Sequence, residues 1–255
     1  MHVPAVAAIA SDRRLLEIAA EILEATPRPY RATLFDKSPG SNWLVVWHQD
    51  TALPLEKRDD RPDWGPWSAK DGINYAHAPA QALGKVVAFR LHLDDSTAEN
   101  GPLRVLPGTH TRGVLSDDAI HDLASTMAPV DCPVRRGDVL AMRPLLVHAS
   151  SKSQSHKLRR VLHIEYITAE AFESFALAIA CCPRRLNSHD PFLPARSVPP
   201  VPSSSSLTRR RPVIAPHHHS RLLPEVTACR VTLQLPNTCP RRLDSAALGN
   251  TIPQS

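Results

Sequence analysis

The chain has 255 residues, 42% of them hydrophobic, enough for one large domain or two small ones. It holds no apolar run long enough to span a bilayer as a helix. The net charge of +5 is unevenly placed: residues 1–175 carry 20 Lys and Arg against 22 Asp and Glu, whereas residues 176–255 carry 10 Arg, no Lys and 3 acids. The basic balance therefore belongs to the C-terminal segment, and charge gives no reason to expect specific nucleic-acid binding by the rest.

Val3 to Ala10 has the apolar character of a signal core, but it carries Pro4 and no basic residues before it, and it runs directly into a helix pattern. It is not read as a secretory signal. Ser11 is placed to cap a helix through about Ala25, with Leu15, Ile18, Ala19, Ile22 and Leu23 forming an apolar stripe. Pro27 and Pro29 end that helix, and Arg31 to Phe35 reads as a strand. A turn at residues 38–41 leads to a second strand, Trp43 to His48. Residues 51–80 lack regular periodicity and read as a long ordered loop containing Trp64 and Trp67, which either pack the loop down or form a lid over a substrate.

Lys85 to Leu93 is a strong strand. Arg90 and His92 share one face, lining a substrate pocket or facing solvent. Turns at residues 100–102 and 107–110 flank a strand at Leu103 to Leu106, and Gly101 is expected to need a positive φ. A helix at Asp117 to Thr126 follows, then strands at residues 130–134, 138–142 and 159–167. Many short strands with Gly and Pro turns predict a mainly β protein with flanking helices, built as an antiparallel barrel or jelly roll.

From about residue 176, Arg pairs, a Ser run at 203–206 and 12 of the 25 prolines replace periodic patterns, and disorder is expected. The organisation is thus a domain over residues 1–175 and a Pro/Arg/Ser-rich tail over 176–255. The five cysteines, at 132, 181, 182, 229 and 239, form no C-x-x-C, and four lie in the tail. Neither a disulfide framework nor a zinc site is expected, and a reducing cytoplasm fits.

The chemistry is carried by His48-Gln49-Asp50, His148 and Arg159. Residues i and i+2 of a strand point to the same side, so His48 and Asp50 can reach one metal. With His148, which ends an apolar run, they form the two-imidazole, one-carboxylate facial set that holds non-haem Fe(II) and leaves coordination positions open. Arg159 suits the carboxylate of a co-substrate.

These residues, together with Asn100-Gly101-Pro102 through Thr109-His110, Arg136-Gly137-Asp138 and His148-Ala149-Ser150, resemble the phytanoyl-CoA dioxygenase family over roughly residues 5–168. The resemblance implies a double-stranded β-helix (a jelly-roll, cupin-like barrel). It also implies an oxygenase using Fe(II) on His48, Asp50 and His148, with 2-oxoglutarate held by Arg159 and Ser150 and ascorbate as a reductant. The expected reaction is hydroxylation of a small organic substrate with dioxygen, releasing succinate and CO2. The acyl-CoA of the family name is not carried over, because one fold hosts many substrates. The N-terminal portion is shorter than many members carry, so the alternative is a barrel of the same fold that binds metal without catalysis. Sequence does not give the oligomeric state.

Overall fold

The computed structural model describes residues 3–59, 61–179 and 226–229. The chain opens with α1 (Pro4–Ala10) and α2 (Arg13–Leu23). It continues through β1 (Pro27–Lys37), β2 (Val45–His48), β3 (Ala52–Leu55), β4 (Trp67–Lys70), β5 (Ile73–His77), α3 (Ala80–Leu83) and β6 (Val86–His92). Then follow β7 (Leu103–Val105), α4 (Asp117–Thr126), β8 (Val130–Cys132), β9 (Val139–Met142), β10 (His148–Ser150), β11 (Arg159–Thr168), α5 (Ala169–Phe175) and β12 (Val226–Cys229).

The larger sheet has the order β1-β11-β6-β9-β12 and the smaller the order β2-β10-β7-β8. With β12 and the β3–β5 excursion set aside, eight strands remain. Along the chain they pass between the sheets: β1, β6, β9 and β11 to the larger, β2, β7, β8 and β10 to the smaller. All pairings are antiparallel. This is the winding of the expected double-stranded β-helix. Its interior is shared by both walls, since Ala88, Leu140 and Met142 of one pack with Leu103, Val105 and Cys132 of the other.

Strand alternation sorts the larger sheet. Leu34, Phe89, Leu91, Leu162, Ile164 and Tyr166 point outward and join Leu15 and Ala19 of α2 and Val6 and Ala10 of α1 in one cluster. Each large apolar side chain buried there contributes about 1.5–3 kcal/mol. The intervening positions, Lys37 opposite Arg159 and His163 opposite Arg90, fall on the other face. The smaller sheet is covered by α4 through Leu106, Ile120 and Val147. The helices therefore seal the outside and leave the polar residues to the interior.

Several expectations are corrected. Asp12, not Ser11, caps α2, accepting from Arg14 N at 3.0 Å. α2 ends at Leu23, and Pro27 and Pro29 lie within β1, which begins before the expected Arg31. Residues 51–80 are no simple loop: β3, β5 and β4 form a third, three-stranded sheet. Strands of four or five residues, one of them containing Pro54, are too short to show a period, and tertiary pairing makes them. Trp64 and Trp67 pack onto the cluster of Leu53, Leu55 and Phe172, with Trp64 edge-on to Phe175 at 5.4 Å. α1 occupies the segment with signal-like character, and no helix among the described residues is long and apolar enough to cross a membrane. Leu177, just past the expected boundary, is buried in the same cluster as Leu55. The expected disorder falls mostly on residues outside the described ones; within that segment β12 pairs with β9.

Candidate active site

β2 and β10 are neighbours in the smaller sheet, and their register puts His148 directly opposite His48. The two rings lie 4.2 Å apart between centroids. Asp50 follows the end of β2, where its backbone N–H donates to Pro144 O at 3.0 Å. Its carboxylate then sits between the imidazoles, Oδ1 3.6 Å from His48 Nε2 and Oδ2 3.6 Å from His148 Nε2. One ligand atom from each of the three residues lies within 4.8 Å of the others. Gln49 points away. Its amide donates to Leu145 O at 2.7 Å and Gly113 O at 3.0 Å and accepts from Leu115 N at 2.9 Å, tying the turn to two neighbouring segments.

The ring orientations are fixed from behind. His48 Nδ1 lies 2.8 Å from Val46 O, and His148 Nδ1 lies 2.8 Å from Leu146 O. A carbonyl only accepts, so each Nδ1 carries a proton, and it is Nε2 of each ring that faces Asp50 and that a metal would take. Burial pushes His148 down to about 4, helped by the neighbouring His48, so its ring is neutral at pH 7. Burial also opposes ionisation of Asp50, but attraction to the imidazoles, with a hydrogen bond from His48, outweighs it and holds the carboxyl well below its usual range; burial likewise pulls His48 down, but the hydrogen bond and charge of Asp50 outweigh it and raise that ring. A separation of 3.6 Å is long for a hydrogen bond and close to the ~3 Å between adjacent ligands each ~2.1 Å from one ion. Two imidazoles and a carboxylate whose donor atoms converge in this way thus fit a divalent metal of the non-haem iron type, which would take both Nε2 atoms in their unprotonated form.

Beyond Ser150 the interior is cationic. Ser150 Oγ donates to Gly101 O at 2.9 Å and accepts from Lys37 Nζ at 2.7 Å and Arg159 Nη2 at 3.3 Å. Lys37 also donates to Ser151 O. Gly101 has φ 68°, and a Cβ there would lie 2.2 Å from Ser151 O, so only glycine allows this close approach. Arg159 is 3% exposed, and among the described residues its Nε and Nη1 have no hydrogen-bond partner. Burial, and then Arg90, pull the Arg159 guanidinium down to about 10. Unpartnered buried donors on a guanidinium are costly unless an anion meets them. That end of the barrel fits a carboxylate.

The structure therefore brings His48, Asp50 and His148 together, and groups Arg159 with Ser150. Arg90 and His92 are 6% and 1% exposed, so they face the interior and not solvent. Trp67 lies in β4 of the third sheet and Trp64 just before it, both packed on the same apolar cluster. Sequence reasoning missed Lys37, His163 and the pair Arg31–Glu165. Arg31 Nη2 donates to Glu165 Oε1 at 2.7 Å and its Nε donates to Oε2, while Tyr30 Oη adds a 3.1 Å bond to Oε1. The signal was available: counting by twos along β11 from Arg159 passes Val161, His163 and Glu165. Cys132 is a buried free thiol, pushed up to about 11 by burial.

A model of the phytanoyl-CoA dioxygenase (PhyH) family matches residues 3–161. Among characterised proteins the chain is similar to an L-proline trans-4-hydroxylase of Streptomyces griseoviridis, with 27% identity over 163 residues. The match covers 54% of this chain and 52% of the relative, so the chain spans about half that relative's length. Among solved structures it is similar to AviO1 from Streptomyces viridochromogenes Tue57, at 28% identity and TM-score 0.46, covering 62% of this chain and 59% of the other. It is also similar to EctD from S. alaskensis, solved with 2-oxoglutarate and 5-hydroxyectoine, at 19% identity and TM-score 0.49, covering 66% and 54%.

Proposed function

Because the chain belongs to the phytanoyl-CoA dioxygenase family, we propose that it is an Fe(II)- and 2-oxoglutarate-dependent dioxygenase that hydroxylates a small organic molecule. The observation that carries this reading is one barrel interior holding both the His48–Asp50–His148 cluster and an unpartnered buried Arg159. The relative named for L-proline hydroxylation supports a substrate of similar modest size.

Ferrous iron with bound 2-oxoglutarate supplies the oxidising chemistry, reducing dioxygen while the keto acid becomes succinate and CO2 and one oxygen atom enters a substrate C–H bond. The chain's own residues prepare the place. His48 and His148 offer Nε2 lone pairs locked by Val46 O and Leu146 O, so no ring has to turn when metal arrives. Asp50 adds the negative charge that two neutral rings lack. Arg159, with Lys37 behind Ser150, holds the far carboxylate of the dicarboxylate and so fixes its depth. Ser150 orients both cations through one hydroxyl. Leu103 and Val105, opposite Ser150 and His148, join Leu140 and Met142 in an apolar cluster that limits bulk water in the interior.

The test is succinate release from 2-oxoglutarate by purified protein with Fe(II), ascorbate and air. Release that vanishes in His148→Ala and needs far more 2-oxoglutarate in Arg159→Ala supports the reading. If native protein gives neither release nor an anaerobic charge-transfer band with Fe(II) and 2-oxoglutarate, the barrel is non-catalytic.

A further inference from the structure

Three cations, Lys37, Arg90 and Arg159, line the barrel interior. Among the described residues none of them forms an ion pair with a carboxylate. Glu165 is taken by Arg31 and Tyr30, and Asp50 lies between the imidazoles. A divalent metal and a dicarboxylate cancel each other's charge. Even with both in place, Arg159, Arg90 and Lys37 outweigh Asp50. Buried charge persists only where something pairs with it. Burial and the two guanidinium groups pull Lys37 down to about 7 until an anion joins it, and a dicarboxylate at the Ser150 end meets Lys37 and Arg159 together, but Arg90 has no such relief and cannot shed its proton. Unmet positive charge is left over, and it falls on Arg90.

Arg90 is held ready. Its guanidinium carbon stands 5.2 Å above the Phe35 ring, and its Nη1 donates to His163 Nδ1 at 3.3 Å. Phe35 and His163 meet edge to face at 5.7 Å. Because Nδ1 of His163 accepts, its proton is on Nε2, which faces Glu165 Oε2 at 4.0 Å. Arg90 is thus braced against the Arg31–Glu165 pair, while its Nε is buried with no partner. In the sheet register Arg90 is opposite His163, four residues along β11 from Arg159, about 13 Å of strand. The charge of Asp50 reaches Arg90, and that of Arg90 reaches Arg159, so Arg90 stands between the triad and the Ser150 end. Between the two guanidinium groups lies His92, 1% exposed with both ring nitrogens unpartnered. Beside two cations and buried, it is neutral, and one of its nitrogens carries a proton to donate.

We propose that Arg90, braced by Phe35 and His163 and assisted by His92, binds an acid group on the substrate, so that the substrate class is small organic acids. The proposal rests on the dioxygenase reading and deepens it. An acid group held at Arg90 tethers the molecule with its C–H bonds near the metal and leaves the Lys37–Arg159 end to the co-substrate.

The test uses the full chain, anaerobic, with Fe(II) and saturating 2-oxoglutarate. The probes are acetate, propionate and benzoate beside acetamide, propionamide and benzamide; the readouts are the thermal melt and the charge-transfer band. The expected result is that the carboxylates raise the melting temperature and perturb the band while the amides do neither. Arg90→Gln loses that response with its 2-oxoglutarate Kd changed by less than about threefold, and Arg90→Lys, which keeps a cation should Gln loosen the barrel, retains part of it. Amides acting as well as acids, no response to either, or a response surviving in Arg90→Gln overturns the proposal. So does a tenfold or greater weakening of 2-oxoglutarate in Arg90→Gln, which assigns Arg90 to the co-substrate's own carboxylate. If native protein shows no band before any acid is added, the dioxygenase reading is what has failed. The melt of the metal-free protein with the same probes then decides the Arg90 site on its own.

Discussion

The two ends of the barrel interior solve opposite electrostatic problems. At the triad, one carboxylate faces two imidazoles, each oriented by a backbone carbonyl behind it, and the charges are met within the protein. At the Ser150 end, a lysine and an arginine share one hydroxyl, and two guanidinium nitrogens have no partner. The first arrangement is held in shape by the carbonyls behind its rings and needs only a cation. The second is strained by its own charge and is relieved when an anion enters. A metal seat and an anion seat can therefore be told apart in a bare barrel by asking which side supplies the missing charge.

The largest effect expected from breaking this contrast is at Asp50. Asp50→Ala removes the only carboxylate of the triad and leaves two neutral rings. Fe(II) affinity, followed by anaerobic titration, falls by more than the ~10–100-fold that loss of an outer-shell partner costs, and succinate formation stops. Iron binding within threefold of native in this variant would place the metal elsewhere.

Arg159→Met breaks the other end and leaves the triad whole. Loss of a charge-assisted contact of ~1.5–3 kcal/mol weakens 2-oxoglutarate roughly 10- to 150-fold, with Fe(II) affinity in its absence nearly unchanged. The same substitution removes an unpaired buried cation, so the ligand-free variant melts no lower than native protein. A large drop in that melt would mean that Arg159 is a structural residue. Gly101→Ala strikes the wall behind Ser150. A left-handed φ and a 2.2 Å clash with Ser151 O make it cost about 2 kcal/mol, read as a melt lowered by roughly 4–8 °C.

The metal-binding half of this contrast was legible in the sequence and the anion-binding half only partly. His48-x-Asp50 announces itself because alternation along a strand is a local property, and the turn motifs around Gly101 are local too. Arg159 is visible as a charged residue opening an apolar run. Lys37 is not, because it closes a strand whose prolines disguise it, and only the β1–β11 register reveals that it stands opposite Arg159. The inward turn of Arg90 and His92 was equally hidden. Both faces of β6 are buried, one under helices and one inside the barrel, and a charged strand face normally means solvent. The third sheet escaped because strands of four residues have no room for a period.

The smallest effect is the most diagnostic of the anion seat. Burial, Arg159 and Arg90 hold Lys37 at about 7 in the folded protein, against an ordinary value of 10.5. Between those values the unfolded chain binds the proton that the folded protein refuses, so Lys37 destabilises the fold fully below pH 7 and is relieved as pH rises toward 10.5. A dicarboxylate at Arg159 reverses this, since its charge restores the lysine's proton. Binding of 2-oxoglutarate therefore takes up a fraction of a proton just above pH 7, and affinity declines as pH climbs through that window. Calorimetry in buffers of different ionisation enthalpy measures the uptake directly. Lys37→Met, with no proton to regain, should show none and should lose the slope of affinity with pH. Uptake that persists in this variant would move the titrating group away from the Ser150 end, and with it the picture of a seat held half-charged until its anion arrives.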